Sequence, residues 1–236
     1  MASGRLADGQ LLAERAVTHI RRLIASGELS PGDRVKEVEI SNALGISRGP
    51  VREAVRRLCG TGLLVAIPNH GSSVVLLTEA TVRDAYEVRE RLESLAASLA
   101  AQNMTDTERM QLLSMLDEHE EVMRQTSATS YPSGDSDWDF HLRILLASRN
   151  SYLWRICGEE LRDIMTLMRA QHASSEPRGL RALQEHRWIA ESIRDGNADL
   201  AGALMTSHIR AARDNLLGKL AVGNRKVRQL HQDNAG

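Results

Sequence analysis

Residues 37–58, EVEISNALGISRGPVREAVRRL, constrain the fold more than any other stretch, because they require two short helices joined by a tight turn. Val38, Ile40, Ala43 and Leu44 supply an inner face for the first helix, and Gly45 ends it where a residue able to take positive φ is wanted. Ile46 packs the turn. Ser47 suits the N-cap of the second helix and Pro50 is tolerated in its first turn, while Val51, Ala54, Val55 and Leu58 recur at helical spacing as a buried stripe. Arg48, Arg52, Arg56 and Arg57 are left facing outward. Two helices, a turn and an arginine cluster make the layout of a helix-turn-helix that reads DNA.

The spacing bears on chemistry. A recognition helix enters the major groove with its N-terminal residues nearest the base edges, and Arg48 and Arg52, four apart, share one face. A guanidinium can fork onto O6 and N7 of guanine, a contact worth roughly 1–3 kcal/mol of discrimination. Ser47 can reach a phosphate or a base. Four arginines alone would read as an ordinary solvated face; here the turn, the cap and the stripe all agree with a reader. Downstream, LLVAIPNHGSSVVLL reads as two β-rich runs broken by Pro68, Asn69, His70 and Gly71, a hairpin wing whose glycine permits close approach to a backbone. Upstream, residues 11–26 form an amphipathic helix, and SGELSPGDRV is a turn leading into the motif.

The run IASGELSPGDRVKEVEISNALGISRGPVREAVRRLCGTGLLV, followed by the HG of the wing tip, resembles the DNA-binding domain of GntR-family bacterial transcription regulators. The remainder resembles the FadR-type subgroup, with an all-helical (FCD) effector domain, and the two together run from about Leu12 to Leu220. The resemblance implies a homodimer on palindromic double-stranded operator DNA, and places Arg34, Ser47, Arg48, Pro50, Arg52, His70 and Gly71 on positions that touch DNA. In some members an arginine of the first motif helix also reads a base. Val38 stands at that place here, leaving fewer base contacts or a compensating part for Arg34 and Lys36.

Composition fits a regulator. The 236 residues suffice for two cores. Cys59 and Cys157 fall in different expected domains, so a disulfide framework is not expected and a reducing cytoplasm fits. No apolar run approaches the ~20 residues that span a bilayer, and no signal-peptide core opens the chain, so no membrane partner is expected. The net charge of −1 hides an uneven distribution: residues 1–78 carry 10 Lys and Arg against 7 Asp and Glu, and the rest carries 20 against 24. The basic excess sits on the expected reading head, where it predicts salt-sensitive DNA affinity.

The expected fold is therefore mostly α: a winged helix-turn-helix over residues 1–78, an all-helical effector, metal-binding and dimerisation domain over 79–220, and a polar, mobile tail over 221–236. Helices are expected near 79–102, 105–126, 135–148, 151–172, 178–195 and 198–219. Within them Asp137 and His141 lie four apart on one face, His186 on the stripe of Leu183, Ala190 and Ile193, and His208 on that of Ala201, Leu204, Met205 and Ala211. Buried polar groups need partners, and one divalent ion satisfies all four; the histidine-rich set suits Zn, with Ni or Mn as alternatives. Read singly, a histidine on an inward face is more often a hydrogen-bonded core residue than a ligand, and Asp137 can be a helix cap after the Gly134 loop. The resemblance favours the metal, since many FadR-type members bind one on an Asp, a His four residues on and two later His.

His119 and His172 are expected on the surface, and Asp139 on the wrong face. Arg89, on the seam of Val82, Ala85, Leu92, Ala96 and Leu99, reads either as an ion-pair partner of a neighbour such as Glu93 or as a clamp for a ligand carboxylate. The second reading makes the effector a small carboxylic acid, as in similar regulators. Cys59 and Cys157 read as packing residues. The chain is thus expected to be a ligand-responsive, non-enzymatic regulator, a repressor in the first instance. A metal sensor without an organic effector stays open, and so, at greater distance, does a metal-dependent hydrolase, for which no separate nucleophile or general base stands out.

Overall fold

The computed structural model describes the backbone of residues 2–126, 135–172 and 178–233; within these, the side chains of 2–9, 126, 135–138, 159, 166, 169–172, 178 and 222–233 lie outside the description. In chain order the elements are α1 (Ala2–Ala25), β1 (Arg34–Val35), α2 (Glu37–Leu44), α3 (Arg48–Gly60), β2 (Leu64–Ile67), β3 (Gly71–Val74), α4 (Glu79–Asn103), α5 (Asp106–Thr126), α6 (Asp135–Ala147) and α7 (Ser151–Leu153). A π-helical stretch (Trp154–Glu160), α8 (Arg162–His172), α9 (Arg178–Arg194) and α10 (Ala198–Asp233) follow. The fold is mostly α with one small antiparallel sheet. Two compact units result, Met1–Leu77 with Leu161–Ala170, and Thr78–Glu160 with Gln171–Gly236. Among the described residues, no helix is long and apolar enough to cross a membrane.

The first unit is the winged helix-turn-helix. Ala13, Ala16, Val17, Ile20 and Ile24 recur every three or four residues on α1, and all are buried where that helix packs on α3. Val51, Ala54, Val55 and Leu58 form the inner stripe of α3 as expected. Gly45 closes α2 at φ 63°, its N–H returned to the carbonyls of Ser41 and Asn42. Only Ile40 and Ser41 of α2 are buried; Val38 is 49% exposed and Ala43 is exposed, contrary to the inner face read from sequence. Val38 stands two residues, about 200° of helical turn, from Ile40, so both cannot face the core. The wing forms as expected, with Leu64 paired to Val74 and Ile67 to Gly71, and β1, not foreseen, adds to its edge through Arg34 and Ser73. Asp163 on α8 is buried in this unit, accepting from the Arg21 guanidinium at 2.5 and 2.9 Å and from the hydroxyl of Thr61, which caps α3, at 2.7 Å.

The second unit is helical. Its centre is α4, which packs along α10 and also meets α6 and α9. The α4–α10 approach is close: Ser94 and Ser98 donate to the carbonyls of Gly202 and Ala198 at 3.0 and 2.9 Å, and a Cβ on Gly202 would lie 2.4 Å from the Ser98 hydroxyl. Glu90 and Arg210 add an ion pair between the same two helices at 2.8 Å. Two boundaries differ from expectation. The helix expected over 151–172 breaks into α7, a π-helical stretch and α8, the break sitting where the Trp154 ring lies over Gly158 and a Cβ would come within 2.9 Å of it. And α10 continues as helix to Asp233, past Ala221, where a tail was expected. That stretch contains neither proline nor a glycine run to stop the backbone hydrogen bonding.

Candidate functional site

The residues singled out for DNA fall on three parts of the first unit. Ser47 is the N-cap of α3 in extended conformation, with no side-chain capping hydrogen bond. Arg48, Pro50 and Arg52 occupy the first two turns of α3, where both arginines are exposed. His70 and Gly71 form the wing tip, the turn made by Asn69 at φ 62° and Gly71 at φ 84°. His70 Nδ1 lies 3.0 Å from the Pro68 carbonyl, which can only accept, so that nitrogen is the donor. Arg34, on β1, runs beside Gly71: a Cβ there would sit 3.6 Å from the guanidinium. The two remaining arginines of α3 are otherwise engaged. Arg56 and Arg57 both pair with Glu53, and Arg57, also bound to Glu14 at 2.6 Å, is only 34% exposed rather than fully outward. Hydrogen bonds from both hold the Glu53 carboxyl below its ordinary range.

In the second unit, α6, α9 and α10 bring together His141, His186 and His208, whose ring nitrogens lie within 4.8 Å of one another and whose rings are all buried. His186 Nε2 and His208 Nε2 are 3.2 Å apart, and Phe140 stacks on His186 with ring centres 4.1 Å apart. Asp137 sits one turn before His141 on α6, but its side chain lies outside the described residues. Asp139 is exposed, as expected. His119, expected on the surface, is buried on α5 at 8% exposure, because its helix face turns inward with Leu112, Met115, Leu116 and Met123. The side chain of His172 lies outside the described residues.

Carboxylates back the histidines. Glu93 on α4 places Oε2 2.5 Å from His141 Nδ1, and Glu185 on α9 places Oε2 2.8 Å from His208 Nδ1. A carboxylate beside each Nδ1 orders its ring, with Nε2 on the side of the cluster. Arg89 closes the group, donating from Nε to Glu93, lying 3.2 Å from His141 Nε2 and passing over the Tyr86 ring at 5.4 Å. Burial alone would raise the Glu93 carboxyl, but Arg89 and His141 together hold it down to about 2. Cys157, buried in the π-helical stretch, is pushed the other way, to about 12, by burial and by the charge of Glu93, leaving an unreactive thiol.

Three functional neighbours escape a sequence reading. Glu93 is visible only as a helical neighbour of Arg89; its service to His141 depends on how α4 meets α6. Glu185 adjoins His186 in sequence yet serves His208. Glu37 on α2 lies 3.2 Å from Arg52 Nε and 4.0 Å from Arg48, a cross-helix relation that no spacing reveals.

Residues 3–74 match the family model of bacterial regulatory proteins of the gntR family, and residues 84–211 that of the FCD domain. The chain is 32% identical over 199 residues to the "Nta operon transcriptional regulator" of Aminobacter aminovorans, covering 83% of this chain and 90% of that one. It is 31% identical over 191 residues to the "Probable D-xylose utilization operon transcriptional repressor" of Paenarthrobacter nicotinovorans, covering 80% and 81%. Among solved structures, "E. coli McbR/YncC" shares the fold, with a TM-score of 0.72 at 19% identity over 89% of this chain and 98% of that one.

Proposed function

Because the chain belongs to the gntR family of bacterial regulatory proteins and carries an FCD domain, it is a DNA-binding transcriptional regulator, and we propose that a small carboxylic acid bound beside a divalent metal ion controls its hold on operator DNA. On this reading it is a cytoplasmic homodimeric repressor of a palindromic site, met by Arg34, Ser47, Arg48, Pro50, Arg52, His70 and Gly71. The single observation that carries the metal is the trio His141, His186 and His208, buried together with carboxylates behind two of the three rings. Neutral imidazoles oriented through Nδ1 are the donor set of a first-row ion, with Zn the best fit and Ni or Mn as alternatives. Asp137 is the fourth ligand of this reading. The bound ion supplies positive charge that holds carboxylate oxygens.

Arg89 supplies the other half of the acid site. Its Nε is committed to Glu93, while a terminal amino group lies 3.2 Å from His141 Nε2, on the side where a ligand carboxylate would meet the guanidinium. The acid can shift the regulator only by its differential affinity for the DNA-competent and incompetent arrangements. The homodimer finds support in a stripe along α4, where Val88 and Leu95 are 46% and 47% exposed and Leu92 and Leu99 half-buried at alternating spacings of four and three.

Selection of sites from a random duplex library by the full chain at near-physiological salt tests the reading. A short palindrome is expected, bound with an affinity that a carboxylic acid alters in metal-loaded protein. No enrichment by folded, metal-loaded protein contradicts the operator reading. An affinity that follows free metal and ignores every acid replaces the acid sensor by a metal sensor.

A further inference from the structure

The arginines of α3 are sorted by which carboxylate holds them. Arg56 and Arg57 pair with Glu53 one turn away on their own helix, and Arg57 also with Glu14 of α1, away from the turn that opens α3. Arg48 and Arg52 have a carboxylate brought from another helix, Glu37 in the first turn of α2. An acid in that turn is favoured by the helix dipole alone. Yet its companion there, Glu39, has a 69% exposed side chain and pairs with Lys36, whereas Glu37 is 28% exposed and turned across to α3. Its Oε2 accepts from Arg52 Nε at 3.2 Å and lies 4.0 Å from the nearest Arg48 nitrogen.

We propose that Glu37 is a positioning residue for base recognition, an inference that rests on the proposed reading of Arg52 as a base contact. A guanidinium has two edges that can grip a pair of acceptors, one of them ending at Nε and the other formed by the two terminal amino groups. Glu37 occupies the Nε side. The terminal edge is left to fork onto adjacent acceptors such as O6 and N7 of guanine. A carboxylate on the reading face also opposes phosphate, so Glu37 lowers sequence-independent attraction while it orients the arginine. The residue therefore exchanges affinity for selectivity, which is why a negative charge stands in a surface otherwise built for an anion.

The test compares the full chain with its Glu37→Ala, Glu37→Gln and Arg52→Ala variants, each binding the selected operator and a scrambled duplex at one salt concentration. For Glu37→Ala, binding to the scrambled duplex strengthens and the operator-to-scrambled ratio falls about tenfold, the preference being lost at the same base pair that Arg52→Ala relaxes. Glu37→Gln, which keeps an acceptor for Nε–H, retains most of the ratio. Equal strengthening of both duplexes by Glu37→Ala reduces Glu37 to a charge and overturns the proposal, as does an unchanged ratio. If Arg52→Ala itself leaves the ratio unchanged, the base-contact reading of Arg52 fails first, and the proposal with it.

Discussion

Two arginine–glutamate pairs, one in each unit, use the same chemical groups under opposite conditions. Arg52 and Glu37 are 64% and 28% exposed, whereas Arg89 and Glu93 are each 3% exposed. In water such a pair contributes about 0–1 kcal/mol, so Glu37 can orient Arg52 through Nε while adding little to the stability of the fold. In the interior, stripping one partner from a charge pair costs on the order of 3–5 kcal/mol, so Glu93 and Arg89 hold each other and His141 in place. The first unit thus presents a guanidinium held on one edge and open on the other. The second holds a buried polar cluster whose charged members depend on one another for compensation.

Five variants test this contrast. The double variant His186→Ala/His208→Ala should lose bound metal altogether, and with it the stabilisation of the fold by added ion, the largest effect expected since structural-type sites contribute about 10 kcal/mol of binding free energy. Elemental analysis and thermal melts with and without metal read both; normal metal content in the variant removes the site. Glu93→Gln comes next. It leaves a buried guanidinium short of its counter-charge and should lower unfolding free energy by about 3 kcal/mol in urea titrations. Glu37→Gln should stay within about 0.5 kcal/mol of the parent, and equal losses in the two variants would erase the distinction.

Arg52→Ala should weaken operator binding by about 1–3 kcal/mol with an unchanged urea midpoint, while an unchanged operator affinity takes Arg52 off the reading face. The smallest effect concerns Glu90, whose carboxyl is held low by its hydrogen bonds to Arg210 against the opposing effect of burial. A depressed folded-state pKa contributes stability that is present above the ordinary value of 4.5 and lost as pH falls through the folded value. Glu90→Gln should therefore be less stable than the parent at neutral pH, and the gap should close in acid. A gap that widens in acid contradicts the assigned direction.

The reading head was largely legible because its signals are local. Gly45, Ser47, the stripe of α3 and the Pro68–Gly71 wing tip each specify their structure within a few residues. Val38 was misassigned where locality ran out, since a helix of two turns offers too little periodicity to fix its inner face. In the helical unit the three histidines were found because imidazoles on apolar stripes are conspicuous. Their carboxylate partners were not, because Glu93 and Glu185 reach across helix interfaces whose register no single-helix pattern contains. The same reason hid the buried face of His119 and the α3 side of Glu37. The π-helical stretch at Trp154–Glu160 escaped because no spacing in the sequence marks it; the close approach of the Trp154 ring to Gly158 there is a feature of packing rather than of propensity.

The account stands most directly on operator affinity measured with a panel of small carboxylic acids, in parallel for the metal-loaded chain, the chelator-treated chain and the His186→Ala/His208→Ala variant. The buried cluster is predicted to govern response and the exposed face to govern reading: one acid alters affinity for the metal-loaded chain alone, while all three proteins prefer the same operator sequence. An acid response that persists without metal and without the two histidines would contradict it.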